Sequence, residues 1–278
     1  MKQVSYSQYS LWNSCPYQWK LQYVDKIKTS EPSIHTIFGS AMHEALQTYL
    51  GCMFNFTIKE ADEQNIEDLL RRKMKEFYQK EIVETEKLHL VSRDDMVEFY
   101  MQGEEIIDYF RKKRSDYFNK KGWSLLGIEE RLAIPIRGDL HFLGFLDVVL
   151  KDEISGKIKI IDIKTATMGW NKYQKANVVK NDQLLLYKEY YSKKHDVPVE
   201  KIDIEFLIFK RKLWEKAEFP QKRIQRHVPA NGTPSMNKMR SRFEEFLDAC
   251  YDESGKVKSI EYEKCVGKCK AYTKCKDL

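Results

Sequence analysis

The spacing of apolar residues changes abruptly near residue 122, and that change limits the folds open to the chain. Upstream, Ile66, Leu69, Leu70, Met74, Phe77, Tyr78 and Ile82 recur with helical period. They predict a long amphipathic helix over 65–90 with charges on its outer face. Ser92 and Asp95 read as a capping box that opens a further helix, carried by Val97, Phe99, Ile106, Ile107, Tyr109 and Phe110 to about Lys120. Downstream the period becomes two. Residues 124–136, 140–150 and 157–163 are rich in Ile, Leu and Val and are separated by Arg137-Gly138-Asp139 and by a turn-forming run from Asp152 to Gly156. They predict an antiparallel three-stranded meander. Residues 181–194 return to helix, 202–209 to strand and 234–251 to helix. Two short helices around a break at 29–32 open the chain, the second following Gly39 with Ala41, Ala45, Leu46 and Leu50 on one side. This order implies an α/β or α+β core behind an N-terminal helical insertion.

With 278 residues, 42% of them hydrophobic and 13% aromatic, the chain has material for a core and room for one large domain or two small ones. No apolar run approaches the roughly 20 residues that span a bilayer, and the first residues lack the apolar stretch of a signal peptide, so a cytoplasmic protein without membrane contact is expected. The balance of 48 Lys and Arg against 42 Asp and Glu, with Lys and Glu interleaved, is too mild to argue for a polyanionic partner. Two local stretches say more. Arg111-Lys112-Lys113-Arg114 precedes Tyr117, Phe118 and Trp123, and Lys210-Arg211-Lys212-Leu213-Trp214 leads to Lys222-Arg223 and Arg226-His227. Cations for phosphates beside aromatic faces for unpaired bases suit a single strand of nucleic acid, although most charge runs are solvated faces.

The cysteines are unevenly spread: Cys265, Cys269 and Cys275 crowd the C-terminus, Cys15 lies near the start, and Cys52 and Cys250 stand alone. A reducing compartment disfavours a disulfide framework, which leaves a metal site as the reading for the clustered thiols and ordinary thiols for the other two.

The chemistry concentrates in Gly144-Phe145-Leu146-Asp147 followed by Asp162-Ile163-Lys164. Alternate residues of a strand share a face, so Asp162 and Lys164 project together, their Cα atoms about 6–7 Å apart. Asp147 lies near the end of the neighbouring strand, where a hairpin register brings both carboxylates within reach of one hard divalent cation. Asp-x-Lys alone is usually a solvated strand face. The apolar flanks Ile160, Ile161 and Ile163 make this a buried strand, where charges without a role are costly.

Five motifs in order give the chain a resemblance to the RecB-like branch of the PD-(D/E)xK nuclease superfamily. They are Ser5-Tyr6-Ser7 through Trp12 to Cys15-Pro16 and Trp19, Gly39 to His43-Glu44, Gly144 to Asp147, Asp162-Ile163-Lys164, and Gln183 to Tyr187. The resemblance implies a restriction-endonuclease-like α/β core, with a central mixed β-sheet flanked by helices. It spreads one nuclease domain over 1–278, with a helical insertion at about 52–122, the core at about 123–232, and a C-terminal helix and cysteine cluster at about 233–278 that closes onto Cys15. It implies that His43, Asp147, Asp162 and the backbone carbonyl of Ile163 bind Mg²⁺ or Mn²⁺, with Glu129 as a further acidic residue beside its neighbour Glu130. Lys164 is then the catalytic lysine, and Gln183 and Tyr187 support the site or the strand. Cys15 with Cys265, Cys269 and Cys275 matches the family's [4Fe-4S] ligands, with C-x3-C-x5-C for the usual C-x2-C-x5-C; four thiolates serve structural Zn²⁺ equally well.

The implied activity is exonucleolytic hydrolysis of single-stranded DNA or DNA ends, in recombination, repair or CRISPR adaptation, as in AddB-type, CRISPR-associated and phage-type members. The chain has no G-x-x-x-x-G-K-[ST] loop, so an ATP motor, if used, would be a separate helicase; an annealing protein is the other expected partner. A catalytically inactive, nucleic-acid-binding iron-sulfur module is the alternative, and a purely structural metal protein a third.

Overall fold

A computed structural model describes residues 2–27, 33–85 and 91–259. Its elements are β1 (Lys2–Val4), α1 (Tyr6–Ser14), α2 (Pro16–Trp19), α3 (Ile34–Asn55), α4 (Ile58–Glu63), α5 (Ile66–Thr85), α6 (Arg93–Lys113), β2 (Trp123–Arg137), β3 (Leu140–Asp152), β4 (Ile158–Ala166), α7 (Lys172–Ala176), α8 (Val178–His195), β5 (Ile202–Lys210), β6 (Ile224–His227) and α9 (Thr233–Cys250).

The period-two region folds as the expected meander. β2 pairs antiparallel with β3 along most of its length, through a hairpin whose Gly138 takes φ +48°, and β3 pairs antiparallel with β4 over Val148–Lys151 and Ile158–Ile161. β4 then runs parallel to β5, with α7 and α8 in the crossover, and β6 pairs antiparallel on the far side of β5. Among the described residues the six strands make one mixed sheet. One face carries α1, α8 and α9 over a core that includes Phe142, Leu146, Ile160, Phe206 and Phe243. The other carries α3, α5 and α6 over Val148, Ile161, Ile163, Phe110 and Phe209. The architecture is the expected α/β arrangement of a central mixed sheet flanked by helices.

Several boundaries differ from the sequence reading. α3 begins at Ile34 rather than after Gly39, because Ser33 and Thr36 form a reciprocal capping box at its start. His43 therefore sits in the third turn of the helix. α6 stops at Lys113 rather than near Lys120 and passes into a short 3₁₀ turn over Arg114–Asp116. Asp147 lies within β3 rather than near its end. The short strands β1 and β6 are additions, as β1 is only three residues long and owes its extended form to pairing with Leu140–Phe142. The break at 29–32, the expected helix beyond Thr85 and Cys265, Cys269 and Cys275 lie outside the described residues.

That sheet topology creates the opening that the candidate site residues occupy. β1 and β4 both pair with the same edge of β3, β1 at residues 140–142 and β4 at 148–151. Between them, residues 143–147 of β3 have no strand partner on that edge among the described residues, and β4 diverges beyond Ile161 to follow β5. The result is a fork between two strands, flanked by α3 on one side and by α1 and α8 on the other.

Candidate active site

Asp147 stands at the crotch of this fork, one residue beyond the last β3–β4 pair, Val148 with Ile161. Its Oδ2 accepts the backbone N–H of Ile163 at 2.7 Å, so the carboxylate takes a donor that the diverging ladder no longer satisfies. His43 Nδ1 on α3 lies 3.5 Å from the same oxygen. On β4, Asp162 is 1% exposed, and its Oδ2 lies 2.7 Å from Lys164 Nζ. From α8, Gln183 Nε2 donates to Asp162 Oδ1 at 2.8 Å and to the Tyr187 hydroxyl at 3.3 Å. His43, Asp147, Asp162, Lys164, Gln183 and Tyr187 thus converge from four elements.

The glycine of the G-x-x-D strand has a packing reason. A Cβ at Gly144 would stand 2.7 Å from Tyr187 Cε1 and 3.2 Å from Phe142 Cε1. Its absence lets α8 approach β3 closely enough to bring Gln183 over Asp162.

Glu129 and Glu130 part company. Glu130 bonds His195 at 2.9 Å and Lys194 at 3.2 Å on α8, whereas Glu129 Oε1 accepts Gln47 Nε2 at 3.0 Å. Gln47 Nε2 also lies 3.5 Å from the Asp147 carbonyl, which makes this amide the link between Glu129 and the fork. Glu129 holds φ +48°, a left-handed conformation that costs a non-glycine residue free energy and that the surrounding pairing enforces. The sequence reading passed over Gln47; its signal is its place one turn after His43, on the same buried side of α3. Tyr6 at the start of α1 is also close enough to feel the charges of Lys164 and Asp162.

Electrostatically the two carboxylates differ. Burial pushes the Asp162 carboxyl up, and Asp147 adds to this against the pull of Lys164, leaving it at about 6. Burial also acts on Asp147, but the His43 hydrogen bond and nearby positive charges outweigh it and hold that carboxyl below its usual value. His43 and Lys164 are both raised, because their acidic neighbours more than offset burial. Burial raises the Tyr187 hydroxyl, which stays protonated.

Asp162 Oδ2 is buried and makes no properly directed hydrogen bond among the described residues, despite the proximity of Lys164. A buried carboxylate oxygen with an unused lone pair, beside a second carboxylate, an imidazole and a peptide carbonyl, is a hard donor set that fits Mg²⁺ or Mn²⁺. Among the described residues, no three His, Cys, Asp or Glu side chains already surround one point. The positive charge facing the acids comes instead from Lys164 and His43.

At the chain ends, Cys15 is buried and its Sγ accepts the Gln18 N–H at 3.3 Å. α9 packs against α1 and α2 through Trp19 with Phe246 and Tyr251, and the Tyr251 hydroxyl reaches Gln8 Oε1 at 3.0 Å. Among the described residues, no helix is long and apolar enough to cross a membrane.

Fork, paired acids and lysine are thus gathered at one place on a mixed sheet flanked by helices. The sequence profile of the PD-(D/E)XK nuclease superfamily matches residues 3–276, and the chain belongs to that superfamily, whose members generally use divalent metals such as Mg²⁺ or Mn²⁺. No curated protein matches it. Among solved structures it is similar to a "Putative exonuclease" from Eubacterium rectale, with 16% identity over 88% of this chain and 80% of that one and a TM-score of 0.49.

Proposed function

We propose that the protein is a DNA nuclease of the RecB-like kind, acting as an exonuclease on single strands or duplex ends. The observation that carries this reading is Asp162: a buried carboxylate oriented on one oxygen by Gln183 and left with an undirected second oxygen beside Asp147 and Lys164. A structural acid has no use for that arrangement, so it also disfavours the inactive binding module.

In this reading His43, Asp147, Asp162 and the Ile163 carbonyl hold Mg²⁺ or Mn²⁺, which would supply Lewis acidity toward the phosphate and its attacking water. Gln183 fixes the rotamer of Asp162, and Tyr187 fixes Gln183 in turn. The Ile163 N–H fixes Asp147, and Gln47 ties Glu129 to the same strand. Lys164, with its side chain 30% exposed, turns from Asp162 toward an entering phosphate and offsets charge that builds on the phosphoryl oxygens. Such a nuclease would work in recombination, repair or CRISPR adaptation, alone or beside a helicase or annealing protein.

The test is cleavage of DNA labelled at its 5′ or 3′ end, single- and double-stranded, with Mn²⁺ or with EDTA. Metal-dependent release of mononucleotides or short products from one end is expected. Cleavage that persists in EDTA, or in a Lys164→Ala protein at the parent's rate, would sink the site.

We also propose a cluster at the chain ends, with Cys15, Cys265, Cys269 and Cys275 holding [4Fe-4S]. The packing of α9 on α1 and α2, which carries the chain back toward buried Cys15, supports it. Anaerobic protein should be brown and contain iron and sulfide; zinc without iron would replace the cluster by a structural Zn²⁺ site.

A further inference from the structure

Arg211 is a buried cation that no carboxylate bonds among the described residues. It is 4% exposed, and its guanidinium meets Gln102 Oε1 at 2.7 Å, Thr167 Oγ1 at 2.7 Å, His35 Nδ1 at 3.4 Å and the face of the Phe99 ring at 3.8 Å. None of these is a carboxylate. The nearby Glu98 is bonded to Lys212 at 2.7 Å. A guanidinium does not lose its proton in proteins, so this charge is retained at a cost that an anionic ligand would offset.

Arg211 lines a cavity of ≈ 750 Å³ at the C-terminal ends of β4 and β5. Four cations, Arg211, Lys212, Lys216 and Arg223, face two carboxylates, Glu105 and Glu215. Trp214, also on the wall, is 57% exposed, yet its backbone is fixed. Its N–H donates to Gln221 Oε1 at 3.1 Å, and its carbonyl accepts Gln221 Nε2 at 2.5 Å. An exposed aromatic on a pinned loop, beside an arginine that no carboxylate bonds among the described residues, has the features of a base-stacking platform next to a phosphate site.

Its position relative to the fork is set by backbone pairing. The Arg211 N–H donates to the Ala166 carbonyl at 2.9 Å and that of Lys212 to the Thr167 carbonyl at 2.8 Å, continuing the β4–β5 ladder past its last strand residues. Thr167 lies three residues beyond Lys164, about 10 Å along the strand. His35 and His43 repeat this on α3, eight residues and about 12 Å apart. A stacked strand rises about 3.4 Å per nucleotide, so the cavity stands about three nucleotides from the fork.

We propose that this cavity is a single-stranded DNA subsite in which Arg211 takes a backbone phosphate and Trp214 stacks on an unpaired base. The proposal rests on the nuclease reading and names where the strand lies beside the cut.

The test is fluorescence anisotropy of a labelled oligothymidylate in EDTA, where binding is read without cleavage. Trp214→Ala should weaken binding about tenfold. Arg211→Gln should reduce the slope of log K against log salt by about 0.7, the release expected for one phosphate contact on a single strand, and Arg211→Lys should restore that slope. Because Arg211 is buried, Trp214→Ala at its exposed position carries the test if the glutamine variant does not fold. Parent affinity in Trp214→Ala overturns the proposal, as does an equal loss on blunt duplex, where no base is free to stack. Trp214-dependent binding without any cleavage would overturn the nuclease reading and leave the subsite standing. Cleavage by a protein whose Trp214→Ala form binds like the parent would do the reverse.

Discussion

Two buried aspartates twenty residues apart, Asp162 on β4 and Asp182 on α8, are treated in opposite ways. Asp182 is fully buried, and both its oxygens are used: the Tyr9 hydroxyl donates to Oδ2 at 2.7 Å, and Arg242 grips Oδ2 through Nε at 2.9 Å and Oδ1 through Nη2. Glu205 on β5 is held in the same manner, by the guanidinium fork of Arg226 and by Lys159 at 2.6 Å, and its carboxyl falls below the usual range although burial pushes it up. Asp162 is as deeply buried, has one amide donor and an ill-directed lysine, and rises to about 6. Burial alone therefore does not set the state of a buried acid. What does is whether a rigid, bidentate partner has consumed its lone pairs.

The largest effect should fall on the satisfied partner. Asp182→Ala leaves Arg242 and the Tyr9 hydroxyl without their acceptor between α1, α8 and α9, and should cost about 3–5 kcal/mol of stability. Urea unfolding measures this, while the activity of the fraction that remains folded should persist. A loss below about 1 kcal/mol would mean that the Asp182 network is no more structural than a surface pair.

Asp162→Ala should do the opposite. Cleavage should fall on the order of 10²–10³-fold or more, as when a group aimed at transition-state charge is removed, with the urea midpoint close to the parent's. If Asp162→Ala unfolds the protein as readily as Asp182→Ala, the contrast between the two aspartates fails and Asp162 becomes a structural acid.

Much of this contrast could be read from the chain, and the rest could not. The period change located the meander, and the parity of β4 put Asp162 and Lys164 on one face, because both follow from local backbone geometry. The i, i+4 spacing placed Gln183 and Tyr187 together for the same reason. The fork was not legible, since it arises from β1 and β4 competing for one edge of β3 across more than a hundred residues of sequence. Hence Asp147 read as a strand-end residue. Nor could sequence tell Asp162 from Asp182: the partners that separate them, Arg242 and Tyr9 against Lys164 and Gln183, are mostly distant in the chain. Arg211 sat in plain view within a basic run, yet that no carboxylate among the described residues bonds it appears only once α6 and the end of β4 close around it.

The smallest effect is also the most diagnostic, because it reads the unsatisfied carboxylate directly. In the folded protein the Asp162 carboxyl is raised from 3.8 to about 6, chiefly by burial. A raised acid binds its proton more tightly in the folded than in the unfolded chain, so its contribution is favourable below about pH 4 and is lost as pH rises through about 6. Asp162→Asn carries no such proton. In EDTA, its melting temperature relative to the parent should therefore climb by a few degrees between pH 4 and 6 and then level off. Lys164, raised by the neighbouring acids, stays charged throughout this window and does not distort the comparison. Saturating Mn²⁺ at pH 7 should then lift the parent and not the variant, by about 2.7 kcal/mol at a hundredfold excess over its dissociation constant. A difference that stays flat with pH would show that Asp162 is not the raised acid, and a variant that Mn²⁺ stabilises as much as the parent would show that it is not the cation's ligand.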